Sequence, residues 1–165
     1  MAQITEDYVS FETAKLLKEK GFDEATNRYY NAQCNQIRTV SDTFMWHWNN
    51  EEFMKRVLME GAIAIPTFQM AMKWLREVHS ILVVIDYNYE CTSKSYCYKI
   101  YHLGKNGKPK KFPVEGVAYD DEGNANKDII YYRDFQLSDS EYTTYEEAVE
   151  AALYYCLEYL VDYLI

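Results

Sequence analysis

Phe68-Gln69-Met70-Ala71-Met72-Lys73-Trp74-Leu75-Arg76-Glu77-Val78-His79-Ser80-Ile81-Leu82-Val83-Val84-Ile85 is the stretch in which the hydrophobic period of the chain changes. Phe68, Ala71, Leu75 and Val78 recur at helical spacing, so they predict a helix over 68–79 that starts behind Pro66 and Thr67. Ile81 to Ile85 is short, β-branched and nearly continuous, which reads as a central strand covered on both sides. Tyr87 and Tyr89 extend it in alternation.

Downstream the period stays at two. Tyr96, Tyr98 and Ile100 alternate with Cys97, Lys99 and Tyr101, giving a second strand over 94–103. The Asn106-Gly107 pair suits a primed hairpin turn, after which residues 112–119 return as a third strand. Asp120 to Asn124 form another turn, and residues 128–137 a fourth strand. Upstream, Phe11 to Lys20 reads as a helix with Gly21 free to take the left-handed conformation past its end. A short strand is expected over 27–33, then a loop, then a helix from Glu51 to Glu60 that stops at Gly61. Trp46 and Trp48 point to one side with His47 on the other, and burial of both tryptophans is expected. From Tyr145 a long final helix has an apolar face of Ala148, Val149, Ala152, Leu153, Cys156, Leu157, Leu160 and Leu164. Helices, then an antiparallel meander of about four strands, then a helix make an α+β fold, and 1–165 reads as a single domain.

Three helix starts share one solution, a hydroxyl residue followed by an aromatic and then Glu or Gln: Ser10-Phe11-Glu12, Thr67-Phe68-Gln69 and Thr144-Tyr145-Glu146. The hydroxyl accepts from an orphan N–H of the first turn, and Thr144 with Glu147 fits a capping box.

With 165 residues, 48% of them apolar, the chain can bury a core without staples. Cys34, Cys91, Cys97 and Cys156 lack the spacing of zinc knuckles or redox pairs and read as free thiols. There is no apolar run of roughly 18 residues, and Glu6 and Asp7 stand where a signal peptide would be basic and then apolar. A cytoplasmic protein with no membrane segment is expected.

Charge is unevenly placed. Asp134 to Ile165 holds eight acids and no Lys or Arg, so the tail carries nearly all of the net charge of −9. Cys91 to Val114 holds six lysines and no acid. Such blocks speak of partners and not of catalysis. Duplex DNA is disfavoured by the overall charge. Of the 17 tyrosines, fourteen lie after residue 80, which suits a half-buried sheet and also a binding surface.

Catalytic patterns are missing. His47, His79 and His102 have no local ligand spacing with cysteines or acids, so no metal site and no cofactor is expected. Cys97 and His102 fall on opposite faces of one strand, which disfavours a Cys-His pair. Gly104 to Lys108 lacks the Ser/Thr and the helix of a phosphate loop. An enzyme therefore ranks third.

The leading expectation is a non-enzymatic interaction protein that binds a basic protein partner or a second copy through the outer edge of the final helix, Glu147, Glu150, Tyr154, Glu158 and Asp162. Glu158 and Asp162 repel each other at the negative end of that helix, and a basic partner would relieve them. The alternative is a nucleotide-binding module, with Arg76, Lys99, Lys108 and Lys110 holding phosphate and Trp74 or Tyr98 stacking a base.

Three blocks, Val9 to Phe22, Pro66 to His79 with its Lys73-Trp74-Leu75-Arg76-Glu77-Val78-His79 string, and Tyr142 to Leu153, together resemble a family of small proteins of Bacteroidales and their phages. The resemblance brings no activity, fold or site residue with it. What it implies is a setting, an accessory role of a phage or mobile element in the cytosol of a bacterial host.

Overall fold

The computed structural model describes residues 7–88, 95–104, 108, 112–114, 118–119, 125–126, 131–133, 136–137 and 141–162. Its elements in chain order are α1 (Phe11–Glu19), β1 (Arg28–Asn31), β2 (Gln36–Thr39), α2 (Glu51–Arg56), β3 (Ile63–Ala64), α3 (Phe68–His79), β4 (Ile81–Asn88), β5 (Ser95–His102), β6 (Phe112–Val114), β7 (Ala118–Tyr119), β8 (Ala125–Asn126), β9 (Tyr131–Arg133), β10 (Gln136–Leu137) and α4 (Tyr145–Tyr155). A π-helical turn, Cys156–Leu160, continues α4. The fold is α+β.

The helix starts work as their sequences indicate. Ser10, Asn50, Thr67 and Thr144 each accept from a first-turn N–H, and Thr144 with Glu147 closes a full capping box. Gly21 takes φ +90° just past α1. α3 ends at Ser80, which adopts the left-handed conformation in the place a glycine usually fills.

β4 and β5 form an eight-residue antiparallel ladder from Ile81 opposite His102 to Asn88 opposite Ser95. β10 joins the other side of β5, giving the order β10-β5-β4. The run Ile81 to Ile85 is therefore an edge and not a centre among the described residues, and it is covered on one side only. Ile81 and Val83 are buried while Val84 is 37% exposed. The later strands are antiparallel as expected, with β6 paired to β9 and β7 to β8, and among the described residues β10 is the one of them that joins β5. A second sheet, β2-β1-β3, arises where a single strand and a loop were expected.

Two helices depart from expectation in instructive ways. α2 ends at Arg56, four residues early, because Leu58 turns to φ +57° and leaves the helical region. In α3 the buried stripe is Phe68, Ala71, Trp74 and Leu75, with Val78 at 58% exposure. Trp74 packs edge-on to Phe22 at 5.6 Å, and this contact rotates the stripe away from Val78. Trp48 is buried and stacks on Tyr29 at 3.7 Å, whereas Trp46, 5.3 Å from Trp48 on the same side, is only half-buried. His47 points out as expected.

α4 lies at the middle of the domain, in contact with α1, α3, β4 and β5. Ala148, Val149, Ala152, Leu153, Cys156 and Leu157 are all fully buried. Beyond the π-helical turn it is Val161 that enters the core, with Leu160 half-buried; Leu164 lies outside the described residues. Replacing Ile100, fully buried on β5, the middle strand of its sheet, with Ala is expected to cost about 2–5 kcal/mol, read as a lower urea midpoint at an unchanged slope.

Candidate functional site

α1 and α4 run side by side in the same direction, and the acids of α4 settle where that neighbour needs them. Glu150 accepts from the Ser10 backbone N–H with both oxygens at 3.2 Å and from the buried Thr13 hydroxyl at 2.5 Å. A carboxylate there also meets the positive end of the α1 dipole. At the other end of α1, Lys20 pairs with Asp162 at 2.5 Å.

Glu150 and Asp162 are twelve residues apart, which in a regular α-helix turns them about 120° from each other. The π-helical turn, closed by the Val161 N–H on the Cys156 carbonyl at 3.0 Å, absorbs one residue. Eleven effective positions leave the two acids about 20° apart, so one helix can reach both ends of α1. Glu158 stays exposed in solvent. Three of the five acidic-edge residues are thus engaged within the chain: Glu147 in the capping box, Glu150 on α1 and Asp162 on Lys20.

Above that contact lies an open cleft of about 890 Å³. Its walls carry six tyrosines, Tyr8, Tyr98, Tyr142, Tyr154, Tyr155 and Tyr159, and three carboxylates, Glu146, Glu147 and Glu150. Tyr98 and Tyr142 stack at 6.0 Å, Tyr155 is 6.3 Å from Tyr98, and Tyr159 is 5.2 Å from Tyr155, so the rings form one continuous wall. The main chain fixes the far side, since Tyr96 and Tyr142 exchange backbone hydrogen bonds of 2.8 Å in each direction. No Lys, Arg or His is among the described residues that line the cleft. The nearby Arg28 guanidinium sits 4.5 Å from the Tyr8 ring without lining it.

Of the acidic-edge residues, Glu147, Glu150 and Tyr154 meet at this cleft. Tyr8, Tyr142, Glu146, Tyr155 and Tyr159 were missed. The heavy use of tyrosine late in the chain was their signal, but only the fold shows which of those tyrosines converge.

The nucleotide set does not come together. Trp74 is buried against Phe22 and 4.5 Å from the His79 ring. Arg76 lies 3.6 Å from Glu77. Tyr98 is buried in the cleft wall, and Lys108 is exposed. Lys110 lies outside the described residues. Lys99 reaches diagonally across the β4–β5 ladder to Asp86 at 2.5 Å. The Lys99 hydrogen bond, helped by the Tyr87 N–H, holds the Asp86 carboxyl below its usual range, and the same bond holds the Lys99 ammonium above its own. Both are charged at neutral pH, and Lys99 is committed within the chain.

Other reactive groups offer little. Burial raises the Cys156 and Cys97 thiols, which keeps them protonated. Among the described residues no group of three His, Cys, Asp or Glu could hold a metal ion. No described helix is long and apolar enough to cross a membrane. Comparisons with protein-family models, with curated proteins and with solved structures gave no match.

Glu150→Ala leaves the Ser10 N–H and the Thr13 hydroxyl without their acceptor and is expected to destabilise the fold by about 2 kcal/mol. Lys20→Ala, at a partly solvated pair, is expected to cost less than about 1 kcal/mol. Urea unfolding of the two variants checks the order, and an equal effect would refute the anchoring role of Glu150.

Proposed function

We propose that the protein is a non-enzymatic interaction protein whose cleft receives a basic segment of a protein partner. One observation carries this reading: three carboxylates share a tyrosine wall, and none has a cationic partner among the described residues. Glu150 and Glu147 are held by neutral N–H and hydroxyl donors, so their negative charge is oriented but not neutralised. Glu146 is exposed and makes no hydrogen bond or ion pair among the described residues. Carboxylates against apolar rings attract a cation by Coulomb forces and by the ring quadrupoles together. The volume lies within the range of pockets that bury a small ligand or several side chains.

In the setting that the resemblance implies, the partner is a component of the bacterial host cytosol met by a phage or mobile-element accessory protein. Charge complementarity favours fast, selective association with a basic surface and disfavours nucleic acid. Occupation by a second copy, through the lysine block of residues 91–114, is an outcome the same experiment detects.

The test uses an acetylated, amidated Ala-Lys-Ala-Lys-Ala peptide, titrated calorimetrically into the protein and into Glu146→Gln with Tyr154→Ala. Both positions are exposed, so the fold should persist by circular dichroism. At least a tenfold loss of affinity in the variant, and weakening by salt in the parent, are expected. Binding that is indifferent to both changes sinks the reading. A dimer in sedimentation that the same variant dissociates would identify the occupant as a second copy and displace the separate partner.

A further inference from the structure

We infer that the Trp46 side of the domain is a further docking surface, whose pocket receives an aromatic side chain with an N–H or O–H donor, carried on a partner's peptide chain.

Asp23, Met45, Trp46, His47, Asn50 and Phe53 line a pocket of about 360 Å³, and none of them lines the tyrosine cleft. The aromatic part of this wall is fixed from behind. Trp46 is the outer ring of a row of three: it stacks on Trp48 at 5.3 Å, Trp48 stacks on Tyr29 at 3.7 Å, and the two inner rings are buried. The Trp46 main chain exchanges hydrogen bonds of 3.0 and 3.2 Å with Thr26. Phe53 stands 5.3 Å from Trp46 at 76°, so the two rings make a corner that one further flat ring can fill, face against one and edge against the other. The volume is at the lower end of the range for ligand pockets and suits one large side chain.

The polar groups select among rings. A backbone carbonyl can only accept, so the 2.6 Å contact between His47 Nδ1 and the Asp23 carbonyl places the proton on Nδ1. In the neutral imidazole Nε2 is then an acceptor, and no described residue donates to it. The Asn50 side-chain oxygen accepts from the Phe53 N–H at 3.0 Å, and its amide donates to the Asp23 carboxylate at 3.5 Å. What stays open is His47 Nε2 and most of the Asp23 carboxylate, both acceptors, against one Asn50 amide hydrogen. A ring that brings a donor is satisfied there. A carboxylate or phosphate would instead meet the Asp23 charge, with no Lys or Arg among the described residues of the wall to balance it.

The carrier is a chain because apolar surface continues past the pocket. Met45 is 43% exposed, and Phe44, outside the pocket wall, is 61% exposed. A free small molecule in the pocket leaves that surface wet, whereas a peptide anchored by its aromatic residue covers it with the neighbouring ones.

The probe is the uncharged peptide acetyl-Gly-Ala-Trp-Ala-Gly-amide, which gives the acidic cleft no charge to attract. It is titrated into the protein by amide NMR in buffer basic enough to keep imidazole neutral, and shifts at Asn50 and Phe53 are expected. A second form carries 3-benzothienylalanine, which keeps the ring shape and replaces the indole N–H by sulfur; it is expected to bind about fivefold more weakly. His47→Phe, at a side chain 56% exposed, should bring the tryptophan peptide down to the benzothienyl affinity and leave the latter unchanged. Phe53→Ala, at a position 38% exposed, should weaken both peptides alike. Absence of shifts at these residues, equal binding of the two forms, a preference that survives His47→Phe, or indifference to Phe53→Ala would each overturn the inference while leaving the basic-partner reading of the cleft untouched. Adenosine that binds the same residues more tightly than the peptide would overturn the peptide-borne source.

Discussion

One carboxylate joins two segments of the chain that lie 140 residues apart. Glu150 takes the Ser10 N–H and the Thr13 hydroxyl, and Thr13 is itself buried, so the start of α1 has this acceptor only while α4 is in place. α4 in turn is fully buried along Ala148, Val149, Ala152, Leu153, Cys156 and Leu157. The contact is therefore held between an apolar face that fixes the helix and a polar edge that fixes its neighbour. A misplacement of either would leave the buried Thr13 hydroxyl without its acceptor, which costs more than a surface contact returns.

The same edge explains why a strongly acidic tail does not simply repel itself apart. Its charges are separated by task, with Glu147 closing the helix start, Glu150 holding α1 and Asp162 meeting Lys20. Glu146 and Glu158 remain exposed to solvent. Glu146, Glu147 and Glu150 line the cleft, beside the tyrosines. Charge that would be a solubility device on a plain helix becomes directional when two of its members are fixed by neutral donors.

Much of this was legible in the residues, and the limits have physical causes. α3 was readable to its last residue because Thr67 caps one end and the change to β-branched residues marks the other. The capping box of Thr144 and the alternation in β5 were equally local signals. The edge position of β4 was not readable, since a run of β-branched residues looks the same whether one face or both are covered. The π-helical turn has no local signature either; Cys-Leu-Glu-Tyr-Leu is ordinary helix text, and only the need to reach both Ser10 and Lys20 makes the extra residue useful. Glu150 and Tyr154 were identifiable as an acidic, aromatic edge. That Glu150 belongs to α1, and that Tyr98 and Tyr142 complete its cleft, depends on pairings between distant segments that no periodicity contains.

The distance along the chain between Ser10 and Glu150, 140 residues, also orders events in time. A ribosome delivers α1 well before the segment that carries its acceptor. Until then water is the alternative acceptor for the Ser10 N–H and the Thr13 hydroxyl. A contact of this separation belongs to the long-range part of the topology, the part that slows folding because distant segments must first be brought together.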